Sequence, residues 1–242
     1  MPIQYRELQI PHGAIMPGPA GASQMTTPPF EPTVPAADPA PAFDRTPGAA
    51  GNGEAATMRF VGGLCNLHLT LDPTLSERFA ARFEGPQPEV TEFGDEITIR
   101  YHCGPWQWGR TAAEVRLRPD IAWSLRVRGG VSRADIDVRG GDLRGLEISG
   151  GVSRMDVTLG EARGTVPVRI QGGVSRVEID RPAAVPVRLR VQGGASKLTL
   201  DTQELGAIGG RTQLESGAFS TASDRYEVEV GGGASRLSVL PR

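Results

Sequence analysis

The stretch Gly129-Gly130-Val131-Ser132-Arg133 recurs as Gly150-Gly151-Val152-Ser153-Arg154, Gly172-Gly173-Val174-Ser175-Arg176, Gly193-Gly194-Ala195-Ser196-Lys197 and Gly232-Gly233-Ala234-Ser235-Arg236. Its serines stand 21, 22, 21 and 39 residues apart. A decayed copy, Gly209-Gly210-Arg211-Thr212, puts Thr212 in the serine slot and splits the long gap into 16 and 23. A diverged copy, Gly62-Gly63-Leu64-Cys65, opens the series with Cys65 in that slot. This makes about seven units, the signature of an array in which each unit buries its apolar face only by stacking on the next.

Around each glycine pair apolar and polar residues alternate: Val166, Val168 and Ile170 precede one pair, and Val177 and Ile179 follow it. A period of two means strands. The same frame puts Leu125, Val127, Ala134 and Ile136 inward, and with them the serine of every copy. The inward parity then slips by one residue at the glycines, as a bulge or corner between two strands requires. Val131, Val152, Val174, Ala195 and Ala234 come out on the outside as an apolar strip.

Two architectures satisfy this frame. In a β-solenoid each unit winds once around, and equivalent strands stack at about 4.8 Å. In the rival, Gly-Gly is a two-residue hairpin turn, which sets Arg126 against Arg133, Arg169 against Arg176 and Arg190 against Lys197. Near-constant spacing favours the solenoid, giving an all-β fold of about seven Gly-Gly-x-Ser repeats. Regular repeats cover residues 121–242, and 58–120 form a less regular start to the same domain.

Within that start, Asp72-Pro73 followed by Leu75, Phe79, Phe83 and then Gly85 predicts a short helix over about 73–84, capping the open end of the sheet. Strands are expected at Glu96–Tyr101 and Glu114–Arg118, joined by a loop carrying Trp106 and Trp108. Their indoles could stack on a sugar or a partner's ring, or pack on the cap. Residues 1–57 hold 11 Pro, 6 Gly and 11 Ala with almost no apolar periodicity, the composition of a disordered tail.

With 26 basic residues against 28 acidic, bulk charge excludes a protein that coats nucleic acid or another polyanion by net attraction. No apolar stretch approaches a membrane span or a secretory leader. Two cysteines provide no disulfide framework, so a cytoplasmic location is expected. Only Lys197 is lysine, which together with abundant Ala, Gly, Pro and Arg suggests a high-GC bacterial genome.

Catalytic chemistry is absent from the pattern. The recurring serines have no recurring base beside them, and all three histidines, His12, His68 and His102, lie outside the regular repeats. Serine then reads as a stacked ladder of hydroxyls satisfying one another. Cys65, His68, His102 and Cys103 could ligate zinc, but strand parity sends both cysteines inward and both histidines outward, so they do not converge. No cofactor or metal site emerges. After each serine comes a basic residue, Arg133, Arg154, Arg176, Lys197 or Arg236, and two residues further an acidic one, Asp135, Asp156 or Glu178. In register these form a basic column beside an acidic column. The arrangement is either a solvated ion-pair lattice or an array for a repeating charged partner.

The repeated Gly-Gly-[Val/Ala]-Ser-[Arg/Lys]-x-x-[Ile/Val/Leu] units over about Met58–Arg242 resemble the adhesin-type bacterial β-solenoid domains called toast-rack domains. The resemblance implies envelope-associated proteins without known catalytic residues. The function expected is a non-enzymatic scaffold or self-associating interaction module that binds protein or its own copies, with no nucleic acid and no direct membrane insertion. The alternatives are a carbohydrate-binding or carbohydrate-processing solenoid with a glycan partner, and an envelope-stress regulator acting through a membrane partner.

Overall fold

The computed structural model describes residues 54–101 and 111–242. The expected tail therefore lies outside the described residues except at its end, where the first strand opens at Ala55. His102, Cys103, Trp106 and Trp108 also lie outside them.

Among the described residues eighteen strands follow one another: β1 (Ala55–Val61), β2 (Leu64–Leu71), β3 (Phe79–Glu84), β4 (Glu89–Phe93), β5 (Glu96–Arg100), β6 (Ala112–Leu117), β7 (Ala122–Arg128), β8 (Val131–Asp137), β9 (Asp142–Ile148), β10 (Val152–Thr158), β11 (Thr165–Ile170), β12 (Val174–Arg181), β13 (Val187–Val191), β14 (Ala195–Leu200), β15 (Gln203–Leu205), β16 (Thr212–Glu215), β17 (Arg225–Val230) and β18 (Ala234–Pro241). They form two nine-stranded sheets. Sheet A runs β16-β13-β17-β11-β9-β7-β1-β5-β4, and sheet B runs β15-β14-β18-β12-β10-β8-β2-β6-β3. Each coil places one strand in either sheet, and equivalent strands pair in parallel: Val152 stands opposite Val131 on one side and Val174 on the other. The chain therefore winds as a flattened solenoid, and the hairpin alternative fails.

Space and sequence order part company at both ends. The first coil, β1–β2, lies inside the later β5–β6, and the last coil, β17–β18, slots between β11–β12 and β13–β14. Four antiparallel strands border the stack: β3 and β4 on β6 and β5, β15 and β16 on β14 and β13. The unit at Gly209 is thus no coil. Its Thr212 begins border strand β16, while β5–β6 is a coil without a Gly-Gly-x-Ser copy.

The expected helix over 73–84 does not form. Asp72 Oδ1 accepts hydrogen bonds from the Thr74 amide at 2.9 Å and its hydroxyl at 2.5 Å, closing a local turn rather than capping a helix. Phe79, Ala81 and Phe83 then lie along one face of β3 and pack against the core, opposite Leu117, Val115 and Ala113. The spacing of Phe79 and Phe83 fits a period of 2 as well as 3.6, and a sheet edge was available to pair with.

At the corners after Gly130, Gly151 and Gly173, the backbone ladder continues around the bend. Val131 N donates to Gly151 O at 3.0 Å, Val152 N to Gly173 O at 3.0 Å, and Val174 N to Gly233 O at 2.9 Å. The coils approach so closely here that a Cβ on Gly150 would sit 2.3 Å from Gly129 O. Glycine is required by this contact between backbones.

The core lies between the sheets and is mostly aliphatic, with Phe60, Tyr101, Trp123 and Tyr226 as its aromatic members. Among its few polar members, Arg181 donates from Nη1 to the carbonyls of Pro182 and Val185 and pairs through Nη2 with Asp201.

A candidate binding ladder on sheet B

The inward frame differs from expectation at one place. Val131, Val152, Val174, Ala195 and Ala234 are buried, Val131 to 3% exposure and Val174 to 4%, while all five serines are exposed. There is no outer apolar strip. The parity slips after the valine, not at the glycines, because serine and the basic residue that follows both face outward. Pairing skips the serine: Val152 matches Val174 and Arg154 matches Arg176, with no bridge at Ser153. Each copy therefore carries a stacked bulge that turns two consecutive side chains to solvent. Hydrophobicity alone carried this signal, since the slot before serine is apolar in all five copies and in Leu64.

The serines do not satisfy one another. Among the described residues none of the five hydroxyls has a hydrogen-bond partner within the protein. Cys65, half-buried rather than inward, extends their column. His68 does face outward, with Nδ1 3.4 Å from Asp135. Cys65 and His68 thus belong to the same outer surface.

The basic column is continuous. Lys197 stands opposite Arg236, Arg236 opposite Arg176, Arg176 opposite Arg154, and Arg154 opposite Arg133, after which Asn66 ends the row. Five cations thus follow one another at the strand spacing of about 4.8 Å, spanning roughly 19 Å. Together with the serines, Cys65 and Asn66 they line an open groove of about 860 Å³ across sheet B, with no aromatic side chain in its walls among the described residues. Asp135, Asp156 and Glu178 form the parallel acidic column two residues along.

Of the two readings of these columns, the ion-pair lattice does not form among the described residues. Lys197 Nζ lies 3.7 Å from Glu204, a residue of β15. Among the described residues, Arg133, Arg154, Arg176 and Arg236 enter no ion pair. Sheet A, built from the same coils, does the opposite. Its outer column reads Arg59, Arg126, Glu147, Arg169, Glu229, Arg190, alternating in sign from Arg126 onward. Arg126 and Arg169 each come within 3.9 Å of an acidic neighbour in that row. Like charges directly opposite on a ladder are unfavourable, by on the order of a few tenths of a kcal/mol per pair. Sheet A accepts that cost once, where Arg59 of β1 stands opposite Arg126, and sheet B accepts it in four successive pairs.

This arrangement can hold anions. Guanidinium groups present forked donors that match phosphate and carboxylate oxygens, and each has a neutral hydroxyl donor beside it. Among the described residues no cluster of metal-ligating side chains occurs. Among the described residues the groove's lining also contains no acid–base pair poised beside a nucleophile.

Residues 94–180 match the family model for the N-terminal domain of toast_rack, DUF2154. That span runs from the start of β5 into β12 and contains three of the five cations. A crystal structure of a candidate cell adhesion protein from Clostridium sporogenes superposes with a TM-score of 0.59 at 18% identity, covering 78% of this chain and 94% of that one. None of the curated proteins matches the sequence.

Proposed function

On the premise that residues 94–180 carry a toast-rack domain, we propose that the protein is a non-enzymatic recognition module whose working surface is the outer face of sheet B. One observation carries the reading: five cations are stacked in register without alternation, beside a sheet from the same coils that alternates its charges. A surface kept only for solubility has no reason to segregate charge by sign, whereas a surface awaiting an anionic partner does. Near-zero net charge does not oppose this, because the local column and not the sum sets the field in the groove.

The test is retention of fluorescently labelled protein on isolated bacterial envelopes. Saturable binding that weakens at least tenfold in R133Q/R154Q/R176Q supports the reading. Absent binding, or equal binding by that variant, removes it.

Self-association is a second reading, favoured by β4, an edge strand whose five residues are all exposed, Phe93 at 90%. Light scattering on wild type and F93E tests it: a dimer that F93E dissolves supports it, and monomers in both exclude it.

A further inference from the structure

Granting the recognition role of sheet B, the geometry points to a specific occupant: a linear phosphodiester polymer of a small polyol, lying single file across the strands. Four features of the groove select it. First, the ladder is one-dimensional. Its cations advance one per coil along the stacking direction, so the partner must also repeat along a line. Second, each rung offers one cation and one hydroxyl, as in Arg154 with Ser153 and Arg176 with Ser175. A polyol-phosphate repeat offers one phosphate and free hydroxyl in the same ratio. An inorganic polyphosphate crowds its charges closer than the rungs and leaves part of them unmatched. The polyol repeat is longer than a rung when extended, and rotation about its C–C bonds shortens it to the spacing of about 4.8 Å.

Third, among the described residues the lining has no aromatic side chain, so none of them stacks on a nucleobase or a sugar ring. Fourth, Asp135, Asp156 and Glu178 run alongside and repel a broad or multi-stranded polyanion, leaving width for a single chain. Such polymers belong to bacterial envelopes, so this assignment replaces the cytoplasmic expectation with an envelope location.

The experiment is calorimetric titration of the full chain with poly(glycerol phosphate) fractions of increasing length, with inorganic polyphosphate and poly-glutamate as competitors of other chemistry. Affinity should climb with length until the chain covers the five rungs, about 19 Å, and then level off per binding site. R133Q/R154Q/R176Q should lose at least tenfold, and the slope of log affinity against log salt should fall by roughly two to three. S153A/S175A should lose a smaller, salt-independent share. Equal binding by wild type and the triple variant, or tighter binding of either competitor, overturns the assignment. So does absent binding of poly(glycerol phosphate) by a protein that still adheres to envelopes, an outcome that leaves the recognition role standing. The length series uses wild type alone and remains decisive if a variant fails to fold.

Discussion

Arg154 and Arg176 stand directly opposite each other on adjacent parallel strands of sheet B, neither with an acidic partner, while Glu147 and Arg169 from the same two coils oppose each other on sheet A. One repeat thus carries two charge plans, and the contrast has an energetic consequence. Replacing Arg176 by Gln removes two like-charge neighbours, Arg154 and Arg236. The variant should melt about 1–2 °C higher than wild type at low ionic strength, and the gain should vanish in molar salt. Differential scanning calorimetry at two salt concentrations measures it. A loss of stability at low salt would mean that the column is held by contacts within the protein.

The outward position of serine is tested by an exchange of neighbours. Val152→Ala deletes buried methyl groups and should cost about 2 kcal/mol, whereas Ser153→Val on the exposed bulge should stay within about 0.5 kcal/mol. Urea denaturation of both variants distinguishes this frame from one with serine inside, which predicts the reverse order.

The glycine pairs differ in what they tolerate. Gly150→Ala forces a Cβ to 2.3 Å from Gly129 O, and neither backbone can yield without breaking the corner ladder. A destabilisation of roughly 2 kcal/mol or more is expected there. Gly209→Ala, in the unit that forms no coil, meets nothing within 4 Å and should change stability little. Comparable losses at both sites would contradict the assignment of Gly209 to the border.

This pair also shows what could be read from the residues before the structure. Period-two alternation and the spacing of 21 and 22 established strands and stacking, because each coil repeats the same burial requirement. The corner could not be resolved from the same pattern, because six residues separate Val127 from Ala134 and a parity slip anywhere between them closes the frame. Phe79 and Phe83 fit a helix stripe and a strand face equally, and only the free edge of β6 decided between them. The insertion of β17–β18 between earlier coils left no local trace, since strand order is a long-range property. The basic column itself was legible from Arg133 to Arg236, but its missing partners depend on which coils adjoin.

Titration acts on stability from both sides of neutrality. The Thr74 hydroxyl and amide hold the Asp72 carboxyl below its ordinary value, and the Arg139 guanidinium does the same for Asp137. A depressed carboxylate stabilises the fold above its unfolded value of 3.8 and loses that contribution as pH falls through the folded one, so the melting temperature should drop below about pH 4. Burial pushes the Tyr101 phenol up to about 12, and burial with nearby Glu161 and Asp142 pushes Tyr226 higher still. Raised phenols protect the fold below 10.0 and cease to as pH climbs through their folded values. Thermal melts from pH 3 to 12 with phenolate absorbance check both limbs; a melting temperature unchanged across either would contradict the corresponding assignment.

The ladder is tested most directly by side-chain NMR of arginine in the intact protein during titration with poly(glycerol phosphate). The Nε–H resonances of Arg133, Arg154, Arg176 and Arg236 should shift together with one binding isotherm, while those of Arg59, Arg169 and Arg190 on sheet A stay in place. Shifts spread evenly over both faces, or confined to a single rung, would contradict a continuous recognition surface on sheet B.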